Sequence, residues 1–432
     1  MATGAGSFTH DPRSGIRGIR LIGVPGGEAR SITSPSERTY HSDPTFSPDG
    51  HHLAYATCLT QWACQIDVVE LGTEYAPMGT AQRLTRKPIC PVGLAWTRDG
   101  KSVIYSDCRN LRLWRVGIAG DQPPMRIEVA GYNPLWPAIA ISRDRLAFER
   151  LLNRHHIYRF EVGRPSEAAV ATSSLGDWHP HFSPDGRRFA FGSGRAGGGE
   201  GDAIWLAAAD GSNPTQLTHG PGTWQGSPRW SPDGQRIAFD AYDEDEHSDI
   251  WTIDADGGSL RRLTSDPGDE THPSWSRDGR FVYFSAPDRE GGPGVWRIPA
   301  SGGKEERLTH NGGGRTDESA DGKTLFFQGK NDFGNSPLLA LPLAGGPERE
   351  IIDCVGSSSF SVGPAGIYHL GCVANQRAVP LYLLDPATGR DRLLGKVEWP
   401  LGGLTVSPDG KTILYMKLGG EGSDLMMIED FR

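Results

Sequence analysis

The chain has 432 residues, 44 of them Lys or Arg and 53 Asp or Glu, for a formal net charge of −9. That balance excludes a broad basic surface for nucleic acid, which needs clustered cations. No apolar run reaches the ~18 residues of a membrane helix. Glycine (58) and proline (32) are abundant, as a chain with many tight turns requires.

Residues 1–14 are expected to be a disordered leader or an expression remnant. The start Met1-Ala-Thr-Gly-Ala-Gly has neither the basic residues nor the apolar stretch of a signal peptide. Residues 17–34 then alternate apolar and polar side chains around Gly26-Gly27, which predicts an outer hairpin.

From there one unit repeats. Pro44-Thr-Phe-Ser-Pro-Asp-Gly50 is followed by Leu94-Ala-Trp-Thr-Arg-Asp-Gly100, Pro180-His-Phe-Ser-Pro-Asp-Gly186 and Pro228-Arg-Trp-Ser-Pro-Asp-Gly234. Thr271-His-Pro-Ser-Trp-Ser-Arg-Asp-Gly279, Glu318-Ser-Ala-Asp-Gly322 and Leu404-Thr-Val-Ser-Pro-Asp-Gly410 continue it, and Ile141–Asp144 and Phe360–Pro364 are degraded copies. Asp-Gly between two β-rich runs marks a hairpin. A second hairpin recurs in Ile204-Trp-Leu-Ala, Ile250-Trp-Thr-Ile and Val295-Trp-Arg-Ile, each followed by Asp-Gly or Gly-Gly and a Leu-Thr strand. Each repeat therefore predicts four strands, and copies roughly 41–50 residues apart indicate radial stacking. The expected fold is all-β, a single β-propeller over 15–432 of four-stranded antiparallel blades. Nine inner hairpins give nine blades, or eight if the third or eighth copy is not a blade. The chain opens with an outer hairpin and ends without a fourth strand, so part of 17–34 is expected to close the ring by mixing both termini. Closure would remove two unpaired sheet edges.

Six cysteines are present: Cys58, Cys64, Cys90, Cys108, Cys354 and Cys372. Cys90 and Cys108 each lie nine residues from Asp99, and Cys354 and Cys372 each lie nine from Gly363. Residues equidistant from a hairpin turn face each other at a separation a disulfide can span. Cys58 is expected to pair with Cys64 across the following loop. Three bridges and no odd thiol predict an oxidising, extracytoplasmic compartment. Six buried free thiols in a cytoplasmic protein are the alternative.

The hairpin Pro-x-Phe/Trp-Ser-Pro-Asp-Gly, the Ile-Trp strand, Gly-Gly and Arg-Leu-Thr together resemble the TolB-like PD40 propeller repeat over nearly all of 17–432. The ending Asp424-Leu-Met-Met-Ile-Glu-Asp-Phe-Arg432 further resembles the propeller halves of bacterial membrane-anchored winged-helix or Ser/Thr-kinase regulators. The resemblance implies a non-catalytic sensor or scaffold on the outer side of a bacterial membrane, monomeric, binding a protein, peptide, small molecule or glycan, with no nucleic-acid partner.

Such rings bind ligands on loops at a channel mouth. The loops between repeats nominate Asp43, Trp136, Trp178, His179, Trp224, His272, Arg315 and Trp399 as ligand-binding residues. His179, His272 and Asp43 share one repeat position, just before the inner-strand proline. Imidazole and carboxylate could hold a channel divalent metal, and the acidic loop carrying Asp243, Asp245 and Asp249 could hold Ca²⁺. Strand capping and solvation are the competing structural roles. Enzyme motifs are lacking: no Gly-x-Ser-x-Gly and no His-Glu-x-x-His occur. The alternative function is a propeller-type polysaccharide lyase or other hydrolytic enzyme with a metal on His179 and His272.

Overall fold

The computed structural model describes residues 18–22, 29–36, 39–60, 63–108, 112–131, 133–140, 142–151, 155–173, 175–195, 202–222, 224–242, 247–266, 268–286, 292–329, 335–372, 377–419 and 422–431. The expected leader, 1–14, lies outside them. The turn that seeds every inner hairpin is held by its own side chains. In seven copies the Ser or Thr hydroxyl donates to the Asp carboxylate two residues on, at 2.5–2.7 Å. In each copy the same carboxylate accepts the N–H two residues further along. These donors hold all seven Asp carboxyls below their ordinary pKa. The glycine that follows has φ between 68° and 75°, a conformation that side chains resist.

The chain forms two compact units: one of residues 153–421, the other of 1–152 with 422–432. The larger holds six four-stranded antiparallel sheets. Five run consecutively, beginning with the inner strands Asp177–Phe182, Trp224–Trp230, Thr271–Trp275, Thr316–Glu318 and Phe360–Gly363. The sixth is composite: Pro400–Val406 and Thr412–Leu418 supply the inner hairpin, His155–Glu161 and Arg164–Ala171 the outer one. Each inner strand packs on the next, and Pro400–Val406 packs on both Phe360–Gly363 and Asp177–Phe182, so the six close into a ring.

Apolar burial seals that composite sheet on both faces. Phe160, Ile413 and Tyr415 join a cluster with Tyr368 and Leu381 of the preceding sheet. Ile157 and Leu414 join Phe182, Phe189 and Phe191 of the following one. Each such side chain contributes roughly 1.5–3 kcal/mol when fully buried. Trp205, Trp251 and Trp296 pack against the clusters between sheets, as the repeat aromatics predicted.

The smaller unit holds two four-stranded sheets, starting at Tyr40–Phe46 and Pro91–Trp96. It also has a three-stranded sheet of Pro134–Ile139, Arg145–Leu151 and Ser423–Glu429, and the pair Arg20–Leu21 with Arg30–Ser31.

The all-β reading and the four-stranded repeat thus hold, whereas one ring of nine blades over 15–432 does not form. The strand His155–Glu161, expected beside the third inner hairpin, pairs with Thr412–Leu418 in the register Ile157↔Met416 and Phe160↔Ile413. The third hairpin instead receives the C-terminal strand, Phe148↔Met426, fastened by Arg145–Glu429 and Arg150–Asp424 at 2.7 and 3.0 Å. The expected mixing of the two termini in one blade is not seen: Arg20–Leu21 pairs with Arg30–Ser31, the C-terminal strand 423–429 joins Arg145–Leu151, and the mid-chain strands 155–171 complete the last inner hairpin. Both third strands are seven residues long and carry several apolar side chains, Ile157, Tyr158 and Phe160 in one and Leu425 to Ile428 in the other, and neither composition names its hairpin.

All three disulfides form as paired. Cys58 faces Cys64 across neighbouring strands, and Cys90 and Cys108 close the end of one inner hairpin, with the Cys108 N–H donating to the Cys90 carbonyl at 2.8 Å. The third differs in geometry from the facing-hairpin reading. Cys354 lies on Arg349–Gly356, the last strand of one sheet, and Cys372 follows Gly366–Leu370 of the next, so this bridge ties two sheets.

Candidate functional site

The inner strands are bent by a repeated bulge. Register slips between Trp178 and His181, Gly226 and Arg229, Thr271 and Ser274, and Gly402 and Thr405. Within the slip sits a residue of left-handed φ: His179 (48°), Ser227 (46°), His272 (53°) and Gly403 (64°). In the first three a proline follows, which bars the right-handed helical region to the residue before it. A bulge of this kind re-aims a side chain, and here it places two repeat positions, two residues apart, toward the ring's centre.

The first position brings together His179, Ser227, His272 and Arg315. The rings of His179 and His272 lie 5.9 Å apart, edge to face. Ser227 Oγ is 3.4 Å from His179 Nδ1. The His179 N–H donates to Met416 Sδ at 3.0 Å, and the His272 N–H to Asp240 Oδ2 at 2.8 Å. Asp240 is 1% exposed and its Oδ1 has no partner. Burial pushes its carboxyl up to about 6.

The second position holds His181, Arg229, Ser274, Asp317, Ser361 and Thr405, one from each sheet, and all six line a cavity of about 370 Å³. Its rim includes Pro184, Pro232, Ala320 and Pro408 of the turns. The opening is therefore at the Asp-Gly end, not among the inter-repeat loops expected to form the mouth. His181 Nδ1 accepts the Trp230 N–H at 3.1 Å, so a neutral ring carries its proton on Nε2. Ser274 and Thr316 hydroxyls bond at 2.6 Å, and Asp317 Oδ2 accepts the Val362 N–H at 2.9 Å.

Burial dominates the electrostatics. It holds His179 and His181 well below the ordinary imidazole value and His272 down to about 4, with Arg229 and Arg315 acting in the same direction. The imidazoles are neutral at pH 7. Burial also lowers Arg229 to about 10, against Asp317 and Asp240, and lowers Arg315 further, where the Arg229 charge adds to the desolvation.

The remaining nominated residues distribute as follows. Trp178 is buried over Gly192, where an added Cβ would meet its indole at 2.5 Å, so it packs. Trp224 meets Tyr242 edge to face at 5.5 Å. Trp399 is 46% exposed at a left-handed φ of 48°. Asp43 and Trp136 occupy the bulge position in the smaller unit, where Asp43 accepts the Gly93 N–H at 3.3 Å. Of the acidic loop, Asp243 and Asp245 lie outside the described residues. Asp249 is a fully buried partner of Arg262 and accepts from Thr264 at 3.3 Å, so its carboxylate serves the strand rather than a Ca²⁺ loop. Among the described residues no group of three or more His, Cys, Asp or Glu is placed to hold a metal.

The lining residues that sequence reading passed over, His181, Arg229, Ser274, Asp317, Ser361 and Thr405, had a signal. Five of them stand four residues before the turn Asp of their hairpin (Asp185, Asp233, Asp278, Asp321 and Asp409), and Ser361 stands two before Gly363.

Residues 221–398 match the PD40 family, described as the TolB beta propeller domain. An uncharacterized protein of Agrobacterium fabrum, Atu1656, is 28% identical over 178 residues, covering 39% of this chain and 56% of its own. The Tol-Pal system protein TolB of Thioalkalivibrio sulfidiphilus is 38% identical over 74 residues, 17% of each chain. The chain thus spans little more than half the length of the first relative and under a fifth of the second. A solved putative TolB from Agrobacterium tumefaciens is 20% identical, covers 79% of this chain and 94% of its own, and superposes with a TM-score of 0.34.

Proposed function

We propose that the protein is a non-catalytic, extracytoplasmic binding module, a sensor or scaffold belonging to a larger membrane-anchored regulator, which takes its ligand or protein partner at the channel of the larger unit. The observation that carries this reading is the cavity of about 370 Å³ at the Asp-Gly end of the ring, to which all six sheets contribute one equivalent side chain. A concave site with a few convergent polar groups on a rigid frame is what ligand binding requires. Three disulfides and no free thiol support the extracytoplasmic assignment. Among the described residues no helix is long and apolar enough to cross a membrane. The lyase reading needs a metal on His179 and His272, and no third ligand joins them among the described residues.

A photo-crosslinking amino acid at Ala320, on the cavity rim, tests the reading in the native envelope, with the exposed turn residue Gly389 as control. A discrete adduct from position 320, absent from 389, is expected. Equal labelling from both positions, or none from 320, refutes a partner at this mouth.

A further inference from the structure

Arg229 and Arg315 are 5% and 2% exposed, yet neither guanidinium is ion-paired among the described residues. Asp317 and Asp240 act on Arg229 without bonding to it. Within the chain Arg229 donates to the Pro228 carbonyl (3.1 Å) and Arg315 to the Ser358 carbonyl (2.9 Å). Arg315 Nε is buried with no partner. A guanidinium has five N–H donors arranged to grip an oxyanion, so most of this donor capacity goes unused. Arg315 also lies 5.7 Å from the Phe360 ring, but a buried charge without an ion-pair partner destabilises a fold. Its presence twice, beside a cavity that Arg229 lines, points to a group supplied from outside. His181, its Nδ1 engaged by the Trp230 N–H, has an Nε2–H as a further donor.

We propose that the channel of the larger unit binds a carboxylate, held by the forks of Arg229 and Arg315 with His181 as an additional donor. The inference rests on the binding reading above and names the chemistry of its ligand. Charge favours a monoanion. Three guanidiniums, Arg229, Arg315 and the cavity-lining Arg277, act around two carboxylates, Asp317 (3.9 Å from Arg277) and Asp240, and leave a single excess positive charge, whereas a phosphate dianion would add negative charge beside Asp317. The opposite arc, with Ser361, Thr405 and Gly403, is small and hydroxylated, which leaves room for the group that bears the carboxylate. A peptide C-terminus and a sugar acid both carry it.

Titration of the intact oxidised protein tests this, read by calorimetry and by the fluorescence of Trp230 and Trp275, which line the cavity. The probes are N-acetyl-triglycine against its amide, glucuronate against glucose, and inorganic phosphate. At least one acid is expected to bind at least ~10-fold more tightly than its uncharged counterpart and more tightly than phosphate, since charge-assisted bidentate bonds are the strong ones. Selectivity in the peptide pair identifies a chain terminus, and selectivity in the sugar pair a uronate. R229M and R315M should each weaken the acid by ~10-fold or more while the unliganded thermal midpoint holds or rises, because an unpaired buried charge is removed. An Arg315 that merely anchors the 358 carbonyl would instead lower the midpoint and leave affinity unchanged. Equal affinity for acid and amide overturns the carboxylate while leaving a binding module. Preference for phosphate, affinity within twofold of wild type in both variants, or no saturable binding of either acid also overturns it. The rim crosslink then decides separately whether the binding reading survives.

Discussion

The same hairpin builds both units, but the bulge position and the one two residues on are filled differently. In the smaller unit they carry Asp43 and Thr45, Gly93 and Ala95, and Trp136 and Ala138. In the larger they carry His179 and His181, Ser227 and Arg229, and His272 and Ser274. The bulge is common to both, with left-handed φ at Asp43 and Trp136 as at His179 and His272. Backbone and turn chemistry therefore specify the fold, while the side chain at the bulge and the one two residues on specify what the fold can bind. Only the larger unit places buried, unpaired cations there.

Four predictions would break or sharpen this contrast. The largest effect is on the core. Phe239 is fully buried in the larger unit, and Phe239→Ala should cost about 3–5 kcal/mol. If the units unfold separately, calorimetry will show two transitions and only one will move.

Second, removing single bridges should weaken the units unequally. The bridge Cys354–Cys372 spans 18 residues and joins two sheets, whereas Cys58–Cys64 spans 6. Replacing the first pair by serine should cost the larger unit about 2–4 kcal/mol, and the second pair should cost the smaller unit less. Denaturant midpoints followed by hydrogen exchange in each unit would check the order.

The third prediction concerns acid. Unfolded imidazoles titrate near 6.5, but folded His272 does so at about 4, and His179 and His181 are also depressed. Between those values the unfolded chain binds more protons, so their contribution is present above pH 6.5 and lost as pH falls toward 4. Asp240, raised to about 6, works oppositely: its contribution is full below the ordinary carboxyl value and lost as pH rises through 6. Three imidazoles outweigh one carboxyl, and the larger unit should lose on the order of 2 kcal/mol per pH unit across that window. Among the described residues of the smaller unit only half-buried His41 is shifted this way, with Asp67 opposing, and that unit should change far less. A thermal midpoint flat from pH 7 to 4.5 would contradict this.

The smallest effect is at Trp136, 56% exposed with φ of 50°. Trp136→Gly relieves a conformation costly to side chains while adding chain entropy. Stability should move by about 1 kcal/mol or less, with acid binding unaltered.

Much of this was legible in the chain because it is local. Ser-Pro-Asp-Gly specifies its turn through bonds within five residues, and Cys90 and Cys108 declare their pairing by equal distance from Asp99. The closure was not legible. His155–Glu161 and Ser423–Glu429 are strands of equal length that pair with two inner hairpins more than 250 residues apart, and local pattern carries no information about which pairing wins. At the site, His179 and His272 stood out by residue type, and they do meet. Arg229 and Asp317 did not, because a charged residue on a strand usually faces solvent. Only the ring shows that their shared repeat position faces inward.

The most direct test of the central claim, that 155–171 complete the last inner hairpin and close a six-sheet ring around the channel, is to express residues 153–421 alone. A closed ring predicts a folded protein that unfolds cooperatively, retains the Cys354–Cys372 bridge and protects the amides of 155–161 from exchange. A chain that stays unfolded or aggregates, or one in which 155–161 exchange freely while the other sheets are protected, would contradict it.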